Sequence, residues 1–221
     1  MRSVFLGIDT SNYTTSVAVC GTDGKVSANL KRPVTVAEGE RGIRQSDAVF
    51  AHVKNFPLLS AQLRDELKNC KVMAVGVSSA PRTVSGSYMP CFLTGVAVAE
   101  TVAAAVDAPL YTFSHQDGHV AAAAYSSGAI DSLLENSFIA FHVSGGTTEA
   151  LSVSPDEDNA FKVEKIGGTA DISMGQLIDR VGVHMGLRFP CGSEMEKLAL
   201  TNTERLPAVK VCVEETVCNL S

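Results

Sequence analysis

Three short strand-like stretches stand in a row before the first helical stretch, and this order restricts the fold more than any other feature of the chain. Residues 4–9 form an apolar run that ends in Asp9-Thr10-Ser11-Asn12, the pattern of a buried strand closing in a polar turn. Residues 14–20 are β-branched, and Gly21-Thr22-Asp23-Gly24 is a hairpin signal leading to a third strand at 26–30. Helical spacing follows at 47–67 through Val49, Phe50, Val53, Phe56, Leu59, Leu63 and Leu67, with Pro57 expected to kink or split it. A strand at 72–77, an Ala-rich helix at 90–106, a strand at 110–113 and a helix at 115–124 complete the run.

The order β-β-β-α-β-α-β-α is α/β but does not alternate from the start, as ordinary doubly wound sheets do. It matches the ribonuclease H-like unit of the actin-like ATPase superfold. After a polar joint at 126–136, strands at 138–143, 148–153 and 161–166 repeat the triple, and a helix at 173–185 follows. Two lobes are therefore expected, at 1–128 and 137–221. A strand at 209–213 stands just before residue 221, so the second lobe is expected to be incomplete, and a dimer or higher oligomer is expected to cover its apolar edge.

Hydrophobic residues make up 45% of the chain and charged residues 19%, which excludes a disordered chain. No apolar run approaches the roughly 20 residues of a membrane span. The six cysteines are scattered without a CxxC pair, and the apolar stretch after Met1-Arg2-Ser3 is too short for a signal peptide. A reduced, cytoplasmic setting is expected. The net charge of −6 argues against a chain that grips nucleic acid by itself, because phosphate contacts need Lys and Arg. Residues 31–44 are the segment richest in these, and they read as a solvated loop.

Four motifs carry chemistry. In the turn Asp9-Thr10-Ser11, a carboxylate could hold hydrated Mg²⁺, and hydroxyls and amides could hold phosphate oxygens. Val143-Ser144-Gly145-Gly146-Thr147-Thr148 occupies the equivalent turn of the second triple, where paired glycines let backbone amides approach an anion. The two turns are expected to face each other across a cleft. In Ser114-His115-Gln116-Asp117-Gly118-His119, Ser114 and Asp117 have capping-box spacing. His115 and His119 then share one helix face, a spacing that suits two imidazoles on one metal ion. A third ligand must come from elsewhere. Lastly, Asp179 lies on a helix whose Leu177, Ile178, Val181 and Met185 are expected to face the core, and its carboxylate either reaches the cleft or pairs with Arg180. P-loop and dinucleotide-binding glycine patterns are absent from the sequence.

These motifs, in this order, resemble the threonylcarbamoyl-transferase family once called O-sialoglycoprotein endopeptidase. The matching stretches are GIDTS (7–11), SHQDGH (114–119), VSGGTT (143–148), GGTADISMGQLIDR (167–180) and FPCGSEMEK (189–197). The resemblance implies transfer of a threonylcarbamoyl group from its adenylate to an adenosine of tRNA. It makes His115 and His119 ligands of a divalent ion, iron or zinc. It also places His142, Val143, Ser144, Gly145, Gly146, Asp179 and Gly192 at the site of an adenylate or ATP, with Mg²⁺ as a further ion. Asparagine, tyrosine and threonine at 12–14, Thr147, Gly168, Ile172 and Cys191 depart from the family pattern, and the family's third metal ligand would fall beyond residue 221. The resemblance therefore also admits a non-catalytic subunit that dimerises with a partner of the same fold and meets tRNA through partner proteins. A metallopeptidase is disfavoured, because HxxxH lacks the glutamate of HExxH. No catalytic residue is assigned from the sequence.

Overall fold

The computed structural model describes residues 1–11, 13–35, 43–157, 160–204 and 212–220. Asn12, the centre of the 31–44 segment, and Val209 and Val211 of the expected terminal strand lie outside them. The chain divides into two compact units, Met1–Gly128 and Ala129–Ser221.

In the first unit, β1 (Arg2–Asp9), β2 (Thr14–Gly21) and β3 (Val26–Pro33) form an antiparallel meander. Then come α1 (Gln45–Glu66), β4 (Cys70–Ala80), α2 (Phe92–Val106), β5 (Leu110–Ser114) and α3 (His115–Ser126). The sheet order is β3-β2-β1-β4-β5, with β4 parallel to β1 and β5 parallel to β4. This is the ribonuclease H-like unit expected from the strand triple. Alternation places Val4, Leu6, Ile8, Val17, Val19, Val75 and Val77 in one cluster with Phe56 and Leu59 of α1 and Ala99 and Ala103 of α2. Each large aliphatic side chain buried there contributes about 1.5–3 kcal/mol.

Helix α1 departs from its sequence reading in two ways. It runs unbroken through Pro57. Proline removes one hydrogen bond to the carbonyl of Val53. Both residues are on the exposed side, where water can take that carbonyl, while Phe56 and Leu59 hold the helix down on its inner side. The buried face of its first turns is also rotated from the expected one, while Phe56 and Leu59 are buried as expected. Phe50 and Val53 are exposed, and Ala48, His52, Phe56 and Leu59 are buried. A histidine in the stripe concealed the true phase.

His52 is fully buried, and its Nδ1 lies 2.8 Å from the Thr15 hydroxyl, which also accepts from Asn55. Burial lowers its pKa from the ordinary 6.5, only partly offset by the charge of Asp9. The unfolded chain therefore takes up the proton first. The stabilising contribution of neutral His52 is complete above pH 6.5 and is lost as pH falls through the depressed folded value. Urea midpoints should accordingly drop on acidification below that pH, and His52→Asn, which cannot titrate, should show a shallower drop. Equal acid sensitivity in the two proteins would contradict this role.

The second unit opens with α4 (Ile130–Glu135), a helix in what the sequence suggested was only a polar joint. Strands β6 (Phe138–Val143), β7 (Thr148–Asp156) and β8 (Ala160–Thr169) then form the second antiparallel meander. Leu151, Val153 and Phe161 are buried, and Phe138 meets Phe161 edge to face. Helices α5 (Met174–His184) and α6 (Gly192–Thr201) and the short pair β9 (Cys212–Glu214) and β10 (Val217–Asn219) follow. The order is β6-β7-β8-β10-β9, with β10 parallel to β8. The repeat is thus partial: in the first unit the next parallel strand pairs with the first strand of the meander, and here it pairs with the third. β6 is left at the sheet edge, with Ile139, Phe141 and Val143 exposed.

Among the described residues, no helix is long and apolar enough to cross a membrane.

Candidate functional site

Because β1, β4 and β5 run parallel, their carboxyl ends lie along one edge of the first sheet, the edge where α/β proteins collect ligands. Asp9 ends β1, and His115 opens α3 immediately after β5. Helix α3 starts there for a local reason. The Ser114 side chain accepts from the Asp117 amide at 3.1 Å, and the Asp117 carboxylate accepts from the Ser114 amide at 2.9 Å. This is the capping box expected from the sequence, and it fixes the first turn that carries His115. Thr83 adds a hydroxyl donor to the same carboxylate oxygen at 3.0 Å.

The i,i+4 spacing does bring the imidazoles together. His115 Nε2 and His119 Nε2 are 2.9 Å apart, with ring centroids separated by 4.3 Å. On its other side, His115 Nδ1 lies 2.9 Å from Asp9 Oδ2. Asp9 Oδ1 accepts from the amide and the hydroxyl of Ser11. Burial alone would raise the pKa of Asp9. The hydrogen bond of His115, with the hydroxyls of Ser11 and Ser78, outweighs it and holds the carboxyl well below the usual carboxylate range. Asp9 is an anion already engaged on both oxygens.

This geometry bears on the phosphate reading of Asp9-Thr10-Ser11. Thr10 is fully buried, its hydroxyl donating to the Cys91 carbonyl at 2.9 Å and accepting from the Gly95 amide at 3.1 Å. Its side chain ties β1 to the start of α2 and is not available to a phosphate. The hydroxyl of Ser11 is turned onto Asp9.

Two imidazoles that turn their Nε2 atoms toward one another on one face fit a divalent ion of the zinc or iron type. Among the described residues, no group of three His, Cys, Asp or Glu gathers into a fuller ligand set. Among the described residues the donor set is therefore the pair.

In the second unit, the turn between β6 and β7 is closed by Ser144. Its amide donates to the Thr147 carbonyl at 2.7 Å, and its hydroxyl accepts from the Gly146 and Thr147 amides at 3.3 and 3.0 Å. Those two amides, read from the sequence as open to an anion, are occupied by their own turn. Around Gly145 and Gly146 the space where side chains would stand is empty, which leaves the turn approachable. The start of α5 docks against it. Ser173 donates to the Gly145 carbonyl at 2.7 Å, the Met174 amide to the Thr148 hydroxyl at 2.8 Å, and the Gly175 amide to the Ser144 carbonyl at 3.3 Å.

His142 and Val143 lead into the turn on β6, with His142 opposite buried Glu149, whose carboxylate meets Lys165 at 3.0 Å. Asp179 lies further along α5 and accepts from the Cys191 amide at 2.8 Å. It thereby pins the residue that precedes Gly192, the first of α6. Val181 and Met185, expected in the core, are exposed, because α5 turns Gly182 against Cys191 instead. His142–Gly146 thus share one turn, while Asp179 and Gly192 belong to the α5–α6 junction. Sequence reasoning missed Ser78 and the pairing of Asp9 with His115. The only signal for the latter was that both close parallel strands.

A family model described as tRNA N6-adenosine threonylcarbamoyltransferase (TsaD) matches residues 26–221. The chain is 30% identical to the tRNA N6-adenosine threonylcarbamoyltransferase of Sulfurihydrogenibium sp. (strain YO3AOP1), across 99% of this chain and 62% of that relative. It is 33% identical to an enzyme of the same name from Thermus thermophilus, across 94% of this chain and 60% of that one. It therefore spans less than two thirds of either curated relative. Among solved structures it is similar to a ROK family protein from Streptococcus pneumoniae TIGR4 in complex with sucrose, with a TM-score of 0.50 and 15% identity, over 90% of this chain and 68% of that chain. That likeness agrees with the strand order in assigning the actin-like ATPase fold.

Proposed function

Since the chain belongs to the tRNA N6-adenosine threonylcarbamoyltransferase family, we propose that it transfers a threonylcarbamoyl group from threonylcarbamoyl-adenylate to adenosine in tRNA, with a divalent ion on His115 and His119. The observation that carries this reading is the approach of the two Nε2 atoms to 2.9 Å on the first turns of a capped helix. A bound zinc or iron ion would supply Lewis-acid polarisation of the carbamoyl oxygen. The chain's own part is to hold two imidazoles on one face, at the strand ends where ligands collect. In the second unit, the side-chain-free Gly145 and Gly146 leave the turn open to an anion's approach, and Asp179 holds the α5–α6 junction that carries Gly192. Contact with tRNA is made through partner proteins, consistent with a net charge of −6.

A second reading, a non-catalytic subunit pairing with a partner of the same fold, is favoured by one observation: among the described residues only two ligands gather. The experiment that separates the two is formation of threonylcarbamoyladenosine by the chain, with His119→Ala as its control.

A further inference from the structure

We infer that Asp9 is the positioning residue of the metal site: its carboxylate fixes the tautomer and rotation of His115, so that Nε2 of that ring presents a bare lone pair. The inference rests on the metal-site reading above and adds to it a residue whose sequence context suggested phosphate.

The argument is one of hydrogen-bond inventory. An ionised carboxylate only accepts, so the 2.9 Å contact between Asp9 Oδ2 and His115 Nδ1 requires the proton to be on Nδ1. In a neutral ring, Nε2 of His115 is then unprotonated. The contact between the two Nε2 atoms, also 2.9 Å, requires one proton between them. As His115 has none to give on that side, His119 donates from Nε2. The metal-free protein is therefore asymmetric, with His115 in the Nδ1–H form and His119 in the Nε2–H form. Were an ion bound, His115 would keep its Nδ1 proton on Asp9 and face the ion through Nε2.

The setting is built to hold Asp9 in this task. Its other oxygen is taken by the amide and hydroxyl of Ser11, which fixes the carboxylate plane. The next residue, Thr10, is locked to Cys91 and Gly95 of the α2 start. Phe92 closes on the His115 ring edge to face at 6.2 Å, restricting its rotation. A carboxylate placed this way orients a histidine ligand and raises its basicity, and losing such a partner costs metal affinity by about 10–100-fold.

The test uses the whole chain labelled with ¹⁵N in its histidine rings. In the metal-free wild type, two-bond ring correlations should assign His115 as Nδ1–H and His119 as Nε2–H. On adding zinc, His115 should keep its Nδ1–H form. Asp9→Asn should release the fixed form of His115 and weaken zinc binding by about 10–100-fold in a chelator competition, and Asp9→Glu, which keeps the charge, should recover part of the loss. An Nε2–H His115 in the wild type overturns the inference without recourse to any variant. Unchanged zinc affinity in Asp9→Asn, with affinity lost in His119→Ala, overturns it while leaving the metal site standing. Unchanged affinity in His119→Ala removes the metal site itself.

Discussion

His119→Ala should abolish metal uptake and leave the protein folded. His119 is exposed on α3, so truncating it removes no buried apolar area. The helix start is secured independently by Ser114 and Asp117, and alanine is the better helix former by a few tenths of a kcal/mol. The ion, in contrast, loses half of the donor set that the described residues bring together. Loss of an outer partner alone costs about 10–100-fold, so loss of a ligand should cost more than about 100-fold. Metal analysis after dialysis against zinc or iron should find partial loading of the wild type and none of the variant, with unchanged thermal midpoints. Equal metal content in the two would remove the histidine pair from the functional account.

Gly175→Val is the most damaging single substitution expected in the second unit. A Cβ at Gly175 would stand 2.6 Å from Gly145 Cα, 2.7 Å from the Ser144 carbonyl oxygen and 2.8 Å from the Gly145 nitrogen. All three are backbone atoms of the turn, so no side chain can rotate away. Either α5 lifts off, losing the contacts of Ser173 and Met174 to the turn, or the turn distorts. Overpacking of this kind costs typically about 1–3 kcal/mol, and a valine against rigid backbone belongs at the upper end. Gly146→Ala is the matched comparison. Nothing lies within 4 Å of its Cβ position, so stability should change by less than about 0.5 kcal/mol. Urea unfolding of both variants checks this, and comparable stabilities for the two would mean that α5 does not bear on the turn.

What was legible in the sequence was local. The first meander could be read because alternation in 4–9 and 14–20 and the Gly21–Gly24 turn are short-range signals, and the Ser114–Asp117 cap because its partners are three residues apart. Legibility failed wherever distant chain segments decide. The contact of His115 with Asp9 spans 106 residues and follows from the parallel order β1-β4-β5, which no local pattern encodes. The same cause hid the task of Thr10, since its partner carbonyl on Cys91 is 81 residues away. In α1 the error was of another kind. A buried histidine reads as polar, so the sequence stripe takes Phe50 and Val53 in place of Ala48 and His52, although it holds Phe56 and Leu59. In the second unit the repeated triple was visible, but the pairing of β10 with β8 was not, because a three-residue strand carries too little pattern to specify its neighbour.

The central claim is that the histidine pair serves threonylcarbamoyl transfer, and the most direct measurement is the product itself. The chain, one equivalent of zinc or iron, threonylcarbamoyl-adenylate and unmodified tRNA are incubated with the tRNA-modifying partner proteins, leaving out any other transferase subunit. The tRNA is then digested and threonylcarbamoyladenosine quantified by mass spectrometry. The account predicts modified nucleoside with the wild-type chain and its loss with His119→Ala. No product from the wild type, under conditions where a longer relative forms it, or equal product from wild type and variant, would contradict the account.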